Sequence, residues 1–272
     1  MLPPLRTLAS TVFVASITGA AQGHEFWIEP QAFTVAPGDT IVADLKVGEE
    51  FEGIRHSYLP ATFRLFEMAQ GDVRTAVESR LGDRPALNQA AAEGLTVLLH
   101  VTTDSRLTYR EFAKFESFVS HKDAAWAVAA HATRGLPEAG FVEAYSRYAK
   151  ALVAVGHGAG ADRAYGLETE LVALANPYTD AIADGVPVQL LYQGEPRRAA
   201  QIEVFERAPD GSISVLTART DEEGVATIPV APGHDYMLDA VVLREPSEAL
   251  AAEKGAVWES LWANLTFGVP EN

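Results

Sequence analysis

Residues 187–243 read PVQLLYQGEPRRAAQIEVFERAPDGSISVLTARTDEEGVATIPVAPGHDYMLDAVVL. Short apolar-alternating runs here are separated by turn residues at near-regular intervals. Pro187–Tyr192, Gln201–Arg207, Ile213–Arg219, Val225–Val230 and Tyr236–Leu243 are the expected strands. Between them stand Gln193-Gly194-Glu195-Pro196, Pro209-Asp210-Gly211, Asp221-Glu222-Glu223-Gly224 and Ala231-Pro232-Gly233. Gly and Asp supply the backbone freedom of tight turns, and Pro fixes their entry. Five short strands with this spacing predict a β-sandwich. Val257–Phe267 is expected to add the last strand. Trp258 and Trp262 then share one face, where core packing outweighs a carbohydrate platform.

Upstream, a second β-rich stretch is expected. His24–Glu29 alternates and stops at Pro30; Phe33–Val35 and Thr40–Val47 flank the Pro37-Gly38-Asp39 turn. Thr62–Phe66, Thr96–Thr102, Ala151–Val155 and Leu167–Leu174 are further strands; Phe141–Lys150 is ambiguous. Tyr109, Phe112, Phe115 and Val119 instead recur at helical spacing. Ser120-His121-Lys122-Asp123 has the pattern of a capping box that restarts a helix, and Gly135 and Pro137 stop it. The expected fold is mainly β: two β-sandwich units with a helical insertion in the first. The expected division is a signal peptide over 1–23, an N-terminal β-rich domain over 24–178 with its insertion at about 109–135, and a C-terminal sandwich over 179–272.

Residues 1–23, MLPPLRTLASTVFVASITGAAQG, resemble an export signal: one basic residue, a short apolar run, and small residues at Ala21 and Gly23. Cleavage after Gly23 is expected, which implies a periplasmic protein with no stable membrane span after processing. Cleavage at Ala21 and an uncleaved anchor are the alternatives. Removing 23 residues and the one charge of Arg6 leaves 249 residues, and the net charge moves from −16 to −17. That acidity argues against nucleic acid and anionic lipid as partners and suits cations. The absence of cysteine excludes disulfides, thiolate metal sites and cysteine nucleophiles.

Cleavage after Gly23 makes His24 the mature N-terminal residue. Its α-amine and imidazole can then chelate one ion through two nitrogens, and another histidine would complete a site suited to copper or nickel. The seven histidines form no His-Glu-x-x-His spacing, so the fold must assemble any such site. His100, on the Thr96–Thr102 strand, is the second candidate ligand; a buried histidine with one hydrogen bond is the competing reading. His131 is the third, against the reading that it caps a helix C-terminus. His121, His56, His157 and His234 are read as loop or surface residues. No Gly-x-Ser-x-Gly elbow or diagnostic carboxylate pair is present, and no catalytic residue is assigned.

The stretches His24-Glu25-Phe26-Trp27-Ile28-Glu29-Pro30, Gly166–Tyr178, Val188–Pro196 and Thr220-Asp221…Gly224 resemble the bacterial DUF4198 domain proteins. The resemblance implies an immunoglobulin- or transthyretin-like C-terminal unit and a secreted or periplasmic location. It also implies a link, in some members, with nickel or cobalt uptake, and His24 as a ligand. Where relatives carry a Gly-His pair after the first Pro-Gly-Asp strand, this chain reads Gly48-Glu49-Glu50, so Glu49 or Glu50 would supply oxygen instead.

Three readings follow. The first is an exported metal-binding or metal-uptake accessory protein for nickel, cobalt or copper, without an organic cofactor or enzymatic activity. Its expected partner is a membrane transporter or outer-membrane receptor. The second is a β-sandwich binding or scaffold module without a metal. The third is a copper oxidoreductase with a histidine brace.

Overall fold

The computed structural model describes residues 24–271. The expected signal peptide therefore lies outside the described residues. In chain order the strands are β1 (Glu25–Pro30), β2 (Thr34–Val35), β3 (Thr40–Glu49), β4 (Glu52–His56), β5 (Phe63–Gln70), β6 (Val73–Ala76), β7 (Leu87–Ala90), β8 (Gly94–Thr102) and β9 (Ser105–Tyr109). Helices α1 (Phe112–His121) and α2 (Trp126–Thr133) follow, then β10 (Phe141–Val155), β11 (Thr169–Ala173), β12 (Val186–Tyr192), β13 (Glu195–Pro196), β14 (Gln201–Arg207), β15 (Ile213–Arg219), β16 (Val225–Ile228) and β17 (Asp235–Arg244). Helix α3 (Glu248–Lys254) precedes β18 (Ala256–Gly268).

The mainly β expectation holds, with helices inserted between β9 and β10. The strands form a ten-stranded sheet whose main path runs β15-β14-β17-β18-β10-β8-β5-β6, and two four-stranded sheets. One small sheet holds β1, β3, β4 and β7; the other holds β11, β12, β13 and β16. Alternation places them on opposite faces of the large sheet. Leu152 of β10, Leu238 of β17 and Leu265 of β18 pack with Leu171, Val188 and Leu190 of β11 and β12. Ala149, Ala151 and Val153 of β10 point the other way, onto Phe26, Ile28 and Leu45 of β1 and β3. α1 and α2 cover the rest of that second face, where Phe115 and Phe118 meet Trp258 and Trp262. Trp258 and Trp262 are buried core residues, as the strand reading expects.

Two features differ from the local reading. The large sheet takes strands from both sides of residue 178, because β10 and β18 pair in parallel from Val142↔Ala256 to Ala151↔Thr266. A parallel pair needs a long crossover, here the 100 residues between Val155 and Ala256, so no neighbouring turn signals it. It also converts the ambiguous Phe141–Lys150 into the first two-thirds of one buried strand. The capping-box reading of Ser120–Asp123 is corrected: α1 continues through His121, and α2 starts after Ala125, which has no side-chain cap. Lys122 and Asp123 form the break, with Asp123 at φ 58. The reason is tertiary: Lys122 is drawn to partners described below, and Asp123 accepts from Arg219 of β15 at 2.8 Å. Among the described residues no helix is long and apolar enough to cross a membrane.

Candidate metal site and the buried charges behind it

His24 immediately precedes β1, whose register against β3 starts at Glu25↔Gly48. That register brings the His24 ring to the end of β3, where Nδ1 lies 3.3 Å from Glu49 Oε1; both side chains are about half exposed. The β3–β4 turn is a two-residue loop, with Glu50 at φ 50 and Phe51 at φ 63. Phe51 tolerates that conformation because its ring is buried against Trp27 and under the Arg207 guanidinium. Gly53 must be glycine, since a Cβ there would sit 2.8 Å from Trp27 Cη2 and 2.5 Å from the Val47 carbonyl oxygen. The turn therefore seats Glu49, Glu50 and Glu52 around an open groove of about 600 Å³ with His24 on its rim.

The other side of His24 borders a smaller cavity of about 110 Å³, with Tyr109, Glu143, Tyr145, Arg147 and Trp262 in its wall. Arg147 Nη2 donates to the His24 carbonyl at 2.7 Å and fixes the backbone there. No second histidine lines either space.

Strand alternation turns Glu25 away from His24, as expected, but into the interior. Lys122 Nζ donates to Glu25 at 3.1 Å, to Asp239 at 3.3 Å and to Glu203. His121 Nε2 lies 2.6 Å from the other Glu203 oxygen. The ammonium also sits 4.8 Å from the Trp262 ring centre. Burial pushes Glu25 up to about 7 and Asp239 up to about 6, against the pull of Lys122. Burial would lower Lys122, but Asp239, Glu25 and Glu203 outweigh it and hold the amine above its ordinary value. These three carboxylates are the one group of three or more His, Asp or Glu ligand atoms within 4.8 Å of one another among the described residues. A cation, Lys122, already sits among them.

His24 is not joined by His100 or His131, since neither lines the spaces beside it. His100 is fully enclosed by the rings of Phe26, Phe66 and Phe63 at 4.9, 5.1 and 5.3 Å. Neither of its ring nitrogens has a hydrogen-bond partner. Burial pushes its pKa down to about 3. The competing expectation of one hydrogen bond is therefore corrected as well. His131 is corrected from ligand to core residue: Trp258 Nε1 donates to its Nδ1 at 3.0 Å, and its Nε2 meets the Pro137 carbonyl at 3.0 Å. Both nitrogens are used, leaving no lone pair for an ion. His121, exposed at the helix junction as expected, reaches Glu203, and the partly buried His234 pairs with Glu206 at 2.8 Å.

Lys122, Arg147, Glu203 and Asp239 were missed as partners of the N-terminus. Asp239 did carry a signal, a carboxylate inside the apolar run Tyr236–Leu243. A charged residue in such a run is seldom buried without a partner.

Over residues 21–244 the chain matches the family described as "Domain of unknown function (DUF4198)". No curated protein matches. A distant solved structure, "Crystal structure of tetra-tandem repeat in extending region of large adhesion protein", aligns at 10% identity with a TM-score of 0.21. It covers 90% of this chain, which spans about half of that structure (49%).

Proposed function

The chain belongs to the DUF4198 family, and we propose that it is an exported, periplasmic metal-binding or metal-uptake accessory protein. Its cargo is one nickel, cobalt or copper ion, held by His24 as the mature N-terminal residue. The observation that carries the reading is the approach of His24 Nδ1 to the Glu49 carboxylate at 3.3 Å on the rim of an open acidic groove. The donor set fits these ions: one imidazole, one carboxylate and, once Gly23 is removed, one amine on the same residue as the imidazole. Glu50 and Glu52 add negative charge that draws cations to the groove. A half-exposed site suits transfer to a membrane transporter or receptor better than permanent storage.

The other two readings find less support. An exposed aromatic face would favour a recognition module, but Trp258 and Trp262 are 0% and 2% exposed. A histidine brace needs a second imidazole, and none lines the spaces beside His24.

The test is the mass of the mature N-terminus of protein purified from the periplasm, with calorimetry of that protein against each ion. One-to-one binding is expected, with a clear loss when a single glycine is retained before His24. Correctly processed protein that binds none of the three ions overturns the reading.

A further inference from the structure

Arg147 is 9% exposed. Its guanidinium lies over the rings of Tyr145 at 4.5 Å and Trp262 at 5.7 Å. Its hydrogen bond is to a neutral acceptor, the His24 carbonyl. Nε is buried without any partner. Among the described residues no carboxylate forms an ion pair with it. The contrast with the two other deeply buried cations is sharp: Lys122 holds three carboxylates and Lys150 holds Asp162 and Glu170. A buried guanidinium with an idle donor is costly, and its planar donors fit a carboxylate.

The geometry around it says where that anion goes. Arg147 is part of the wall of the 110 Å³ cavity, and His24 stands on the same wall. Glu143 is the carboxylate of that wall, and both its oxygens are taken: Tyr109 OH donates to Oε2 at 2.7 Å and Ser260 Oγ donates to Oε1. Glu143 makes no ion pair with Arg147, although the two charges are close enough to interact. Burial raises Glu143, against the opposing pull of Ser260, Tyr109 and Arg147. The remaining surface is largely aromatic, from Tyr109, Tyr145 and Trp262. The volume is of the order of engineered cavities of about 150 Å³ that take up benzene, so a few heavy atoms fit.

We propose that this cavity binds a small organic carboxylate on Arg147, and that the ion at His24 is taken up together with that carboxylate as a shared ligand. The guanidinium fork matches a carboxylate, the aromatic wall takes its carbon body, and the position beside His24 lets a chelating carboxylate reach the same ion. The second half of the proposal rests on the metal reading above; the anion site itself does not.

The experiment uses processed, metal-free protein with acetate as probe, read by the NMR resonance of the Trp262 indole N–H. Acetate should shift it saturably, and acetamide, of the same shape without the charge, should not. Arg147→Met should weaken the acetate response at least tenfold, and Arg147→Lys, which keeps charge but loses the fork, should fall between. An equal response to acetamide, or no saturable response to acetate, overturns the anion site from wild-type protein alone, whether or not the variants fold. Nickel is then titrated with and without glycine as the chelating carboxylate. Tighter uptake with glycine supports the shared ligand, and unchanged or weaker uptake overturns it. Acetate binding without any nickel binding would sink the metal reading and leave the anion site standing.

Discussion

Trp258 and His131 are joined by a 3.0 Å hydrogen bond from the indole N–H to Nδ1, while Nε2 on the far side of the same imidazole meets the Pro137 carbonyl at 3.0 Å. The two partners fix the neutral tautomer with its proton on Nε2. The ring thereby ties the end of α2 to β18, between Phe141 at 4.5 Å and Phe112 at 5.0 Å. His131→Ala removes a packed ring and orphans the buried indole N–H. A loss of about 2–4 kcal/mol is expected in urea unfolding. An effect below about 0.5 kcal/mol would show that the insertion is not anchored this way.

His100 makes stability depend on acid. Its folded pKa of about 3 lies below the ordinary 6.5, so the unfolded chain takes up a proton first as pH falls. Stability is unaffected above 6.5 and declines from 6.5 toward 3, by roughly 1.4 kcal/mol per pH unit from this group. His100→Phe replaces an imidazole with two idle nitrogens by a ring that needs none. Its advantage over wild type should grow by about 2 kcal/mol between pH 7.5 and 5 in paired urea melts. A difference that stays flat with pH would contradict the burial of a neutral imidazole.

The Lys122 cluster has the opposite sign. Glu25, raised to about 7, binds its proton more tightly when folded than when unfolded. The penalty for its charge is absent below about 4.5 and complete above about 7. Glu25→Gln should therefore gain on wild type as pH rises through that window, by roughly 1.4 kcal/mol per unit at most. Lys122→Met leaves three carboxylates crowded without a cation and should cost about 3–5 kcal/mol near neutrality. Lowering the pH to 5 should recover part of that loss, because Glu25 and Asp239 then protonate. A loss that does not shrink in acid would mean that Lys122 acts through packing alone.

The β3–β4 turn can be tested through its backbone. Glu50 occupies a positive-φ position without a side-chain reason visible in its exposure. Glu50→Asn should stabilise the protein by about 0.5–1 kcal/mol, since asparagine favours this two-residue turn. Phe51→Gly should instead destabilise, despite the better backbone fit, because the ring fills the space between Trp27 and Arg207. If both variants move stability the same way, the turn's shape is not set by the competition between strain and burial.

Much of the fold was legible in local pattern. The alternation and turns of residues 187–243 placed five strands almost to the residue, because period-two burial and turn chemistry are both written within a few positions. Trp258 and Trp262 could be assigned to one buried face for the same reason. The break near Asp123 was legible but its capping box was not real, because Ser120 lies inside α1 and Lys122 answers to Glu203 and Asp239. Of the candidate ligands, His100 does lie beside the first strand, at 4.9 Å from Phe26, but the place of a residue in its strand or helix does not say what surrounds its ring.

By itself, then, the sequence determined a mainly β chain with a helical insertion, no thiol chemistry, an acidic surface, and His24 at the head of the first strand. These follow from composition and from forces acting between near neighbours. Tertiary structure decided that His24 meets Glu49, that Glu25 meets Lys122, and that Arg147 is buried with an idle nitrogen. Those partners lie far apart in the chain, up to 123 residues for Arg147 and His24. His24 meets Glu49 through the antiparallel register of β1 and β3, and the other two contacts need β1 laid across the large sheet, which no local period encodes.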